Sequence, residues 1–312
     1  MLEAERQKFR IVVPVYYNEL NIPHTLPRLQ ALQELLPEWE LEFIFVDDGS
    51  KDRSLAMLLA AREQDARIKV IKLSKNVGSM AAIQAGLTLA TGACVGVIAA
   101  DLQDPPELFA EMIEKWQQGK KVVLAVRADR EESRGQKFVS NLYYALMARF
   151  AIPGYPRGGF DFVLLDQQVV GEISAIKEKN TNIMSLIFWL GHEQCMIPYL
   201  RRQREHGTSG WTLAKKFKLF IDSFVAFSYT PIRLMSLLGL SIALLGFLYG
   251  LLVIFNRLVH GAVIEGWTAI IVILTFGFGM IMIMLGIIGE YLWRILDESR
   301  KRPAYIIDEV YK

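Results

Sequence analysis

The pattern of apolar and polar residues changes near residue 210. Before it the apolar runs are strand-sized and end in polar or acidic residues; after it, 234–255 and 267–288 continue without a charge. Each late run exceeds the roughly 20 residues that a helix needs to cross a hydrocarbon core of about 30 Å. The early runs at 9–15, 41–47, 68–73, 94–100 and 121–126 predict strands, with helix-period segments between them. One such segment spaces Leu26, Leu29, Leu32 and Leu36 along a single helical face.

Alternation of this kind predicts an α/β fold, a mainly parallel sheet covered by helices on both faces. In open sheets of that type ligands bind beyond the carboxyl ends of the strands. The residues that follow each strand are therefore the candidate site. They are Tyr16-Tyr17-Asn18-Glu19, Asp47-Asp48-Gly49-Ser50, Lys75-Asn76-Val77-Gly78, Asp101-Leu102-Gln103-Asp104 and Arg127, in chain order. Two later segments are amphipathic. Residues 134–150 set Phe138, Leu142, Leu146 and Phe150 against Arg134, Lys137 and Arg149, as in a helix covering the sheet. Residues 212–229 carry lysines near their start and Phe217, Phe220, Phe224 and Phe227 beyond, and are expected to form an interfacial helix leading into the first span.

At 312 residues and 52% hydrophobic, the chain exceeds one average domain and is too apolar for a wholly soluble one. Its net charge of +2 is uninformative as a total, and no nucleic-acid partner is expected. The placement of the charges says more. Lys215, Lys216, Lys218 and Arg233 precede the first span, Arg294, Arg300, Lys301 and Arg302 follow the second, and Arg257 and Glu265 share the turn between. The positive-inside rule then puts both termini in the cytoplasm. The polar start and the brief first apolar run argue against a signal peptide, so the N-terminal domain is expected to stay there too. Cys94 and Cys195 lie far apart and read as core thiols, and the four histidines lack ligand spacing. The expected division is a catalytic domain at 1–211, an interfacial helix at 212–232, a two-helix membrane hairpin at 233–292 and a cytoplasmic tail at 293–312.

After the first strand neither Gly-x-Gly-x-x-Gly nor Gly-x4-Gly-Lys-Ser/Thr appears; Pro14-Val15-Tyr16-Tyr17-Asn18-Glu19 stands there instead. Hydride transfer and nucleotide hydrolysis on a phosphate loop thereby recede. What remains is a nucleotide site built from acids and a metal. Asp48 can accept from the N3–H of uracil or the N1–H of guanine, although Asp47-Asp48-Gly49-Ser50 alone also suits a surface turn. Asp101 and Gln103 can present oxygens to Mg²⁺ or Mn²⁺ while a diphosphate and waters complete the shell. Asp104, before Pro105-Pro106-Glu107, is expected to cap a helix.

These residues resemble a known family. Asp47-Asp48-Gly49-Ser50-x-Asp52, Leu73-Ser74-Lys75-Asn76-x-Gly78, Asp101-Leu102-Gln103-Asp104-Pro105-Pro106-Glu107, Gly289-Glu290-Tyr291-Leu292-x-Arg294 and Arg302-Pro303-x-Tyr305 are similar, in order, to the polyprenyl-phosphate glycosyltransferases of glycosyltransferase family 2. The bactoprenol glucosyltransferase branch is the nearest resemblance, with the dolichol-phosphate mannose synthases beside it. The resemblance implies a Rossmann-like GT-A catalytic domain, two C-terminal transmembrane helices, a divalent metal, a nucleotide-sugar donor and a polyprenyl-phosphate acceptor. It further implies inverting transfer of one sugar, glucose from UDP-glucose first, to undecaprenyl phosphate at the inner membrane of a bacterium.

Carried over residue by residue, the resemblance gives Pro14, Tyr16, Asn18, Glu19, Asp48, Lys75, Asn76 and Gly78 to the nucleotide and Asp101 and Gln103 to the metal. Asp161, in Gly158-Gly159-Phe160-Asp161-Phe162, matches the proposed catalytic carboxylate; Asp101 and Arg127 join it as catalytic, Arg127 reaching the diphosphate. Arg201, Arg204, Ser209 and Lys215 match the grip on the lipid phosphate. Three positions depart from the family pattern: Ala99 replaces an aspartate, Val163 an arginine and Gly210 a lysine. Ala99 leaves the metal to Asp101, Gln103 and donor oxygens. Gly239, Gly246, Gly250, Gly277 and Gly279 permit close helix contact and point to a homo-oligomer. Two rival readings are a processive polysaccharide synthase, which would carry a Gln-x-x-Arg-Trp element and more spans, and a non-catalytic nucleotide sensor, suggested by Ala99 and Val163.

Overall fold

The structure of the protein is a computed structural model that describes residues 6–127, 142–156, 160–179, 182–201, 227–228, 230–260 and 266–312. It divides into two units, Met1–Ser223 together with Pro303–Lys312, and Phe224–Arg302.

The expected strands are present as β1 (Gln7–Val15), β2 (Trp39–Asp47), β3 (Ile68–Leu73), β4 (Cys94–Val97) and β5 (Val122–Arg127). Three more join them: β6 (Phe162–Asp166), β7 (Gln194–Tyr199) and β8 (Ile307–Tyr311). Together they form one eight-stranded sheet in the order β7-β5-β6-β4-β1-β2-β3-β8. β1 runs parallel to β2 and β4, β2 to β3, and β5 to β7. β6 lies antiparallel between β4 and β5, and β8 is antiparallel to β3. The fold is thus α/β with a mixed, mainly parallel sheet.

Residues 293–312, expected as a tail, divide differently. The second long helix continues to Ser299, and Ile307–Tyr311 pairs with β3, which carries residues from Pro303 into the first unit. Backbone pairing explains the change. Without β8 the outer N–H and C=O groups of β3 would be an open edge.

Strands β1 and β2 are apolar on both faces because helices cover both. On one face Phe9, Ile11, Val13, Phe43, Phe45 and Val70 join a single core with Phe109, Met112 and Phe162. The helices α1 (Ile22–Gln30), α2 (Leu32–Leu35), α3 (Ser54–Gln64) and α5 (Phe109–Gln117) supply its outer layer. The leucine-spaced segment is split at Ala31 between α1 and α2, and Leu29, Leu32 and Leu36 are all buried. On the other face α4 (Ser79–Leu89) lies so close to β1 and β2 that a Cβ on Gly86 would stand 2.3 Å from a Val12 methyl. Helix α6 (Gln167–Ala175) covers β4 and β6, and α7 (Ile183–Trp189) follows it.

The second unit contains α8 (Thr230–His260) and α9 (Trp267–Ser299). Both are long and apolar enough to cross a membrane, with mean hydropathy of 2.5 over Thr230–Asn256 and 2.0 over Ile273–Ser299. Most of the interfacial-helix segment, 212–232, lies outside the described residues.

Core packing makes one glycine exacting. A Cβ on Gly96 of β4 would meet the Phe109 ring at 2.3 Å, whereas one on Gly171 of α6 meets nothing within 4 Å. Gly96→Val is expected to destabilise the protein by about 1–3 kcal/mol through overpacking. Gly171→Ala should leave stability unchanged or slightly raised. Thermal unfolding of the detergent-purified full chain checks both.

Candidate active site

A parallel ladder ends all its strands at one rim, and the loops that follow must find partners for backbone groups no longer served by the sheet. Here side chains from one loop serve the backbone of the next. Asp48 is buried, and its carboxylate accepts the Val77 N–H at 2.7 Å, the Gly78 N–H at 2.8 Å and the Asn76 side-chain amide at 3.0 Å. The loop after β3 is thereby fixed to the end of β2. Gly49 permits the approach: its φ is +69°, and a Cβ would lie 2.8 Å from the backbone of Lys75 and Asn76. Only glycine fits both demands without strain.

The loop after β1 is bound to the β2 loop in the same manner. Ser50 Oγ accepts the Tyr17 N–H at 3.1 Å, Ser54 Oγ the Asn18 N–H at 2.9 Å and Asp52 the Glu19 N–H at 3.3 Å. Glu19 answers by accepting the Arg53 N–H at 3.0 Å. Tyr17 is held at a φ of +52°, and its ring lies edge-on to Tyr16 with centroids 4.4 Å apart, both rings about half exposed. The pair offers an aromatic wall beside the acids. Pro14 lies inside β1, opposite Val46.

Burial drives the Asp48 carboxyl above its ordinary range, while the Val77 and Gly78 N–H groups pull it down. Asp47 is likewise raised by burial; one of its oxygens accepts the Ser50 N–H at 3.2 Å and the other is buried without a hydrogen bond. Three of the roughly four lone-pair positions on Asp48 are thus occupied by its own chain. One acceptor direction is left over.

Beyond β4 the chain turns tightly. Leu102 has a φ of +55°, and Asp101 Oδ1 accepts the Gln103 N–H at 3.3 Å. Thr25 of α1 supports the turn by donating to the Ala100 carbonyl at 2.8 Å. Asp101 and Gln103 therefore sit on one turn. Among the described residues, no group of three or more His, Cys, Asp and Glu side chains could hold a metal without further ligands.

The reversed strand β6 completes the rim. Asp161 immediately precedes it, and because β6 runs opposite to β4 and β5, its first residues lie at their carboxyl ends, with Ala125 opposite Phe162. Asp161 forms an ion pair with Arg127, the last residue of β5, which is in register with Tyr199 at the end of β7. Burial opposes the Arg127 charge, but Asp161, Tyr199 and Asp104 outweigh it and hold the guanidinium protonated. Val163 is fully buried in β6, opposite Val97 and Leu124.

Asp104 requires a correction. It caps no helix: the 3₁₀ turn Pro106–Leu108 and α5 both begin without a side-chain cap. Its side chain is fully buried instead, accepts from the Tyr199 hydroxyl and lies 3.3 Å from Arg201 Nε. The partners come from a strand the sequence pattern did not reveal. Strand β7 contains Pro198 and partly exposed residues, as an edge strand can, and gave no long apolar run.

The structure thus assembles Asp48, Lys75, Asn76 and Gly78 around the β2 and β3 ends, and Asp101, Gln103, Arg127, Asp161 and Arg201 around the ends of β4, β5, β6 and β7. Arg204, Ser209 and Lys215 lie outside the described residues. A surface cavity of about 430 Å³ lined by Gln7, Trp116, Lys120, Lys121 and Asp166 opens at the opposite ends of the strands, away from this chemistry.

Comparison with known proteins identifies the family of the sequence. The sequence model of Glycosyl transferase family 2 matches residues 10–174. The uncharacterized glycosyltransferase YkcC of Bacillus subtilis strain 168 is 40% identical over 305 residues, 97% of this chain and 94% of its own. The bactoprenol glucosyl transferase of Shigella phage SfV is 35% identical over 301 residues, 96% and 98% of the two chains. The prophage bactoprenol glucosyl transferase homolog of Escherichia coli K12 is 33% identical over 306 residues, 98% of this chain and all of its own. Among solved structures, glucosyl-3-phosphoglycerate synthase from Mycobacterium tuberculosis, in complex with Mn²⁺, UDP and phosphoglyceric acid, is 14% identical, with 69% and 75% of the two chains covered and a TM-score of 0.48.

The loop fastening has a measurable consequence. Asp48→Ala leaves the Val77 and Gly78 N–H groups without their acceptor and is expected to cost about 2–6 kcal/mol, at roughly 1–3 per donor lost. Asp48→Asn, which keeps an acceptor oxygen, should lose less. Thermal unfolding of the full chain ranks the two variants, and equal stabilities would contradict the assignment.

Proposed function

Since the chain belongs to glycosyltransferase family 2, we propose that it transfers one sugar from a nucleotide-sugar donor, UDP-glucose first, to a polyprenyl phosphate, with inversion at the anomeric carbon. The carrying observation is the Arg127–Asp161 pair, set by the reversal of β6 on the same rim as the Asp48 and Asp101 loops. A cation and a carboxylate beside a nucleotide site are what displacement of a nucleoside diphosphate by an anionic acceptor requires.

A phosphate monoester is already ionised near neutral pH, its second pKa being about 6. The acceptor thus needs little general-base help. The larger demand is to bring two anionic reactants together and to stabilise the departing diphosphate. Arg127 supplies a fixed positive charge for this purpose, and Asp161 orients the sugar or the attacking phosphate. Asp48 uses its remaining acceptor direction for the N–H edge of the base, with Tyr16 alongside; Pro14, Asn18, Glu19, Lys75, Asn76 and Gly78 shape the nucleotide loops.

Asp101 and Gln103 fit a magnesium or manganese ion as hard oxygen donors on one turn. Such ions bind through one or two protein oxygens and complete their shell with phosphate and water. When bound, the ion neutralises charge on the leaving diphosphate. Ala99 adds no ligand, so affinity depends on the donor.

The two apolar helices are read as a hairpin in the bacterial inner membrane. Arg233 before the first and Arg300, Lys301 and Arg302 after the second favour cytoplasmic ends, on the side where nucleotide sugars are made. Arg201, with Arg204, Ser209 and Lys215 beyond it, receives the lipid phosphate, and Gly246, Gly250, Gly277 and Gly279, whose Cβ positions meet nothing within 4 Å, support a homo-oligomer.

Incubating the purified full chain with UDP-glucose, Mg²⁺ and undecaprenyl phosphate is expected to yield a lipid carrying one glucose. A polymer, or bound nucleotide without turnover, would contradict the proposal. Asp161→Asn should lower kcat by about 10²-fold, the scale of a lost orienting contact, with UDP affinity changed less than about twofold. For the metal, Mn²⁺ titration should show weak binding without UDP, strengthened by Ala99→Asp; equal affinities with and without the new carboxylate would reject this assignment.

A further inference from the structure

Asp104 is the most deeply buried acid of the rim, and none of the roles above uses it. Its environment is poor for a charge. Oδ1 accepts from the Tyr199 hydroxyl and faces Arg201 Nε at 3.3 Å, while Oδ2 is buried without a hydrogen bond. Arg127 Nε, nearby, is also buried without an acceptor, although its terminal nitrogen pairs with Asp161. Unmet buried polar atoms carry a desolvation penalty, and an apolar residue of similar size would avoid it. Their convergence calls for a role other than stability.

The charges alternate: Arg201 stands against Asp104, and Arg127 stands against Asp161, with Tyr199 next to both arginines in the sheet register or in space. Without Asp104, two guanidinium groups would share a largely buried site and repel each other. With it, both are held in place. Asp104 also follows Gln103 directly, so the turn that carries Asp101 and Gln103 is joined through one side chain to Arg201, two residues beyond β7. Arg201 Nε lies at ion-pair distance from Asp104 but forms no hydrogen bond, and among the described residues its terminal nitrogens have no ion-pair partner, so the fork can turn to another anion.

We propose that Asp104, with Tyr199, is a positioning residue for the acceptor phosphate: it holds Arg201 beside Arg127. The inference rests on the proposed function and concerns acceptor affinity, not the chemical step. A purely structural aspartate would, on loss, weaken donor and acceptor handling alike. A positioning residue would weaken the acceptor alone.

The test uses the full chain in detergent or nanodiscs, with undecaprenyl phosphate as acceptor, UDP-glucose as donor, and UDP affinity measured separately. Asp104→Asn keeps an oxygen for Tyr199 and removes the charge that holds Arg201. It is expected to raise the KM for undecaprenyl phosphate about tenfold, within the coupling seen for contacting charges, with kcat and UDP affinity changed less than about twofold. Tyr199→Phe, which alters one hydroxyl and leaves the ring in place, should raise the same KM about threefold and guards against a folding defect in the first variant. Arg201→Gln should match Asp104→Asn, and the double variant should be no worse than Arg201→Gln alone. An unchanged acceptor KM, a parallel loss of UDP affinity, or additive effects in the double variant would overturn the role of Asp104. Wild-type protein that forms no sugar lipid would instead overturn the proposed function, and the inference with it.

Discussion

The acceptance of three N–H groups by the buried Asp48 carboxylate is the interaction on which the β2 and β3 side of the rim depends. Parallel strands deliver their loops to one edge, but the sheet gives no hydrogen bonds to those loops once the ladder ends. Asp48 supplies them for the β3 loop, and Ser50, Asp52 and Ser54 supply them for the β1 loop. Three chain segments are thereby fixed as one surface before any ligand arrives. Gly49 sets the closeness of that surface, because a side chain there would strike the backbone of the neighbouring loop.

The Arg127–Asp161 side of the rim follows from a change of strand direction. Had the segment after Asp161 run parallel to its neighbours, that acid would have entered the sheet at the end far from Arg127. The antiparallel course of β6 brings it to the carboxyl ends of β4 and β5, where Arg127 holds it. Fold and chemistry meet in that inversion. A parallel sheet gathers the loops after β1, β2, β3 and β4 at one rim, and one reversed strand adds the Asp161 carboxylate beside them.

Much of this was legible in the sequence, for identifiable reasons. Strands buried on both faces show as unbroken apolar runs, and β3 was read at Ile68–Leu73 to the residue. The ends of such strands mark a candidate site by topology alone, which is why Asp48, Asp101 and Arg127 stand out. β7 and β8 escaped because edge strands are short and partly polar: Ile307-Asp308-Glu309-Val310-Tyr311 resembles a tail until β3 is known to lack a neighbour. β6, with Phe162-Val163-Leu164-Leu165, carries a visible apolar run, but its direction is not encoded in its own residues. Asp104 was misread for a related reason. Asp before Pro-Pro-Glu has the local pattern of a cap, whereas Tyr199 and Arg201, nearly a hundred residues on, are what fix its position.

The central claim is that the donor nucleotide binds at the carboxyl ends of the parallel strands, on the surface that Asp48 and its neighbours hold together. Hydrogen exchange of the full chain with and without UDP and Mn²⁺ tests it most directly. The account predicts slowed exchange in peptides spanning Tyr16 to Glu19, Asp48 to Ser50, Lys75 to Gly78 and Asp101 to Asp104. Protection confined to the opposite ends of the strands, around Trp116, Lys120 and Lys121, with those loops unchanged, would contradict it.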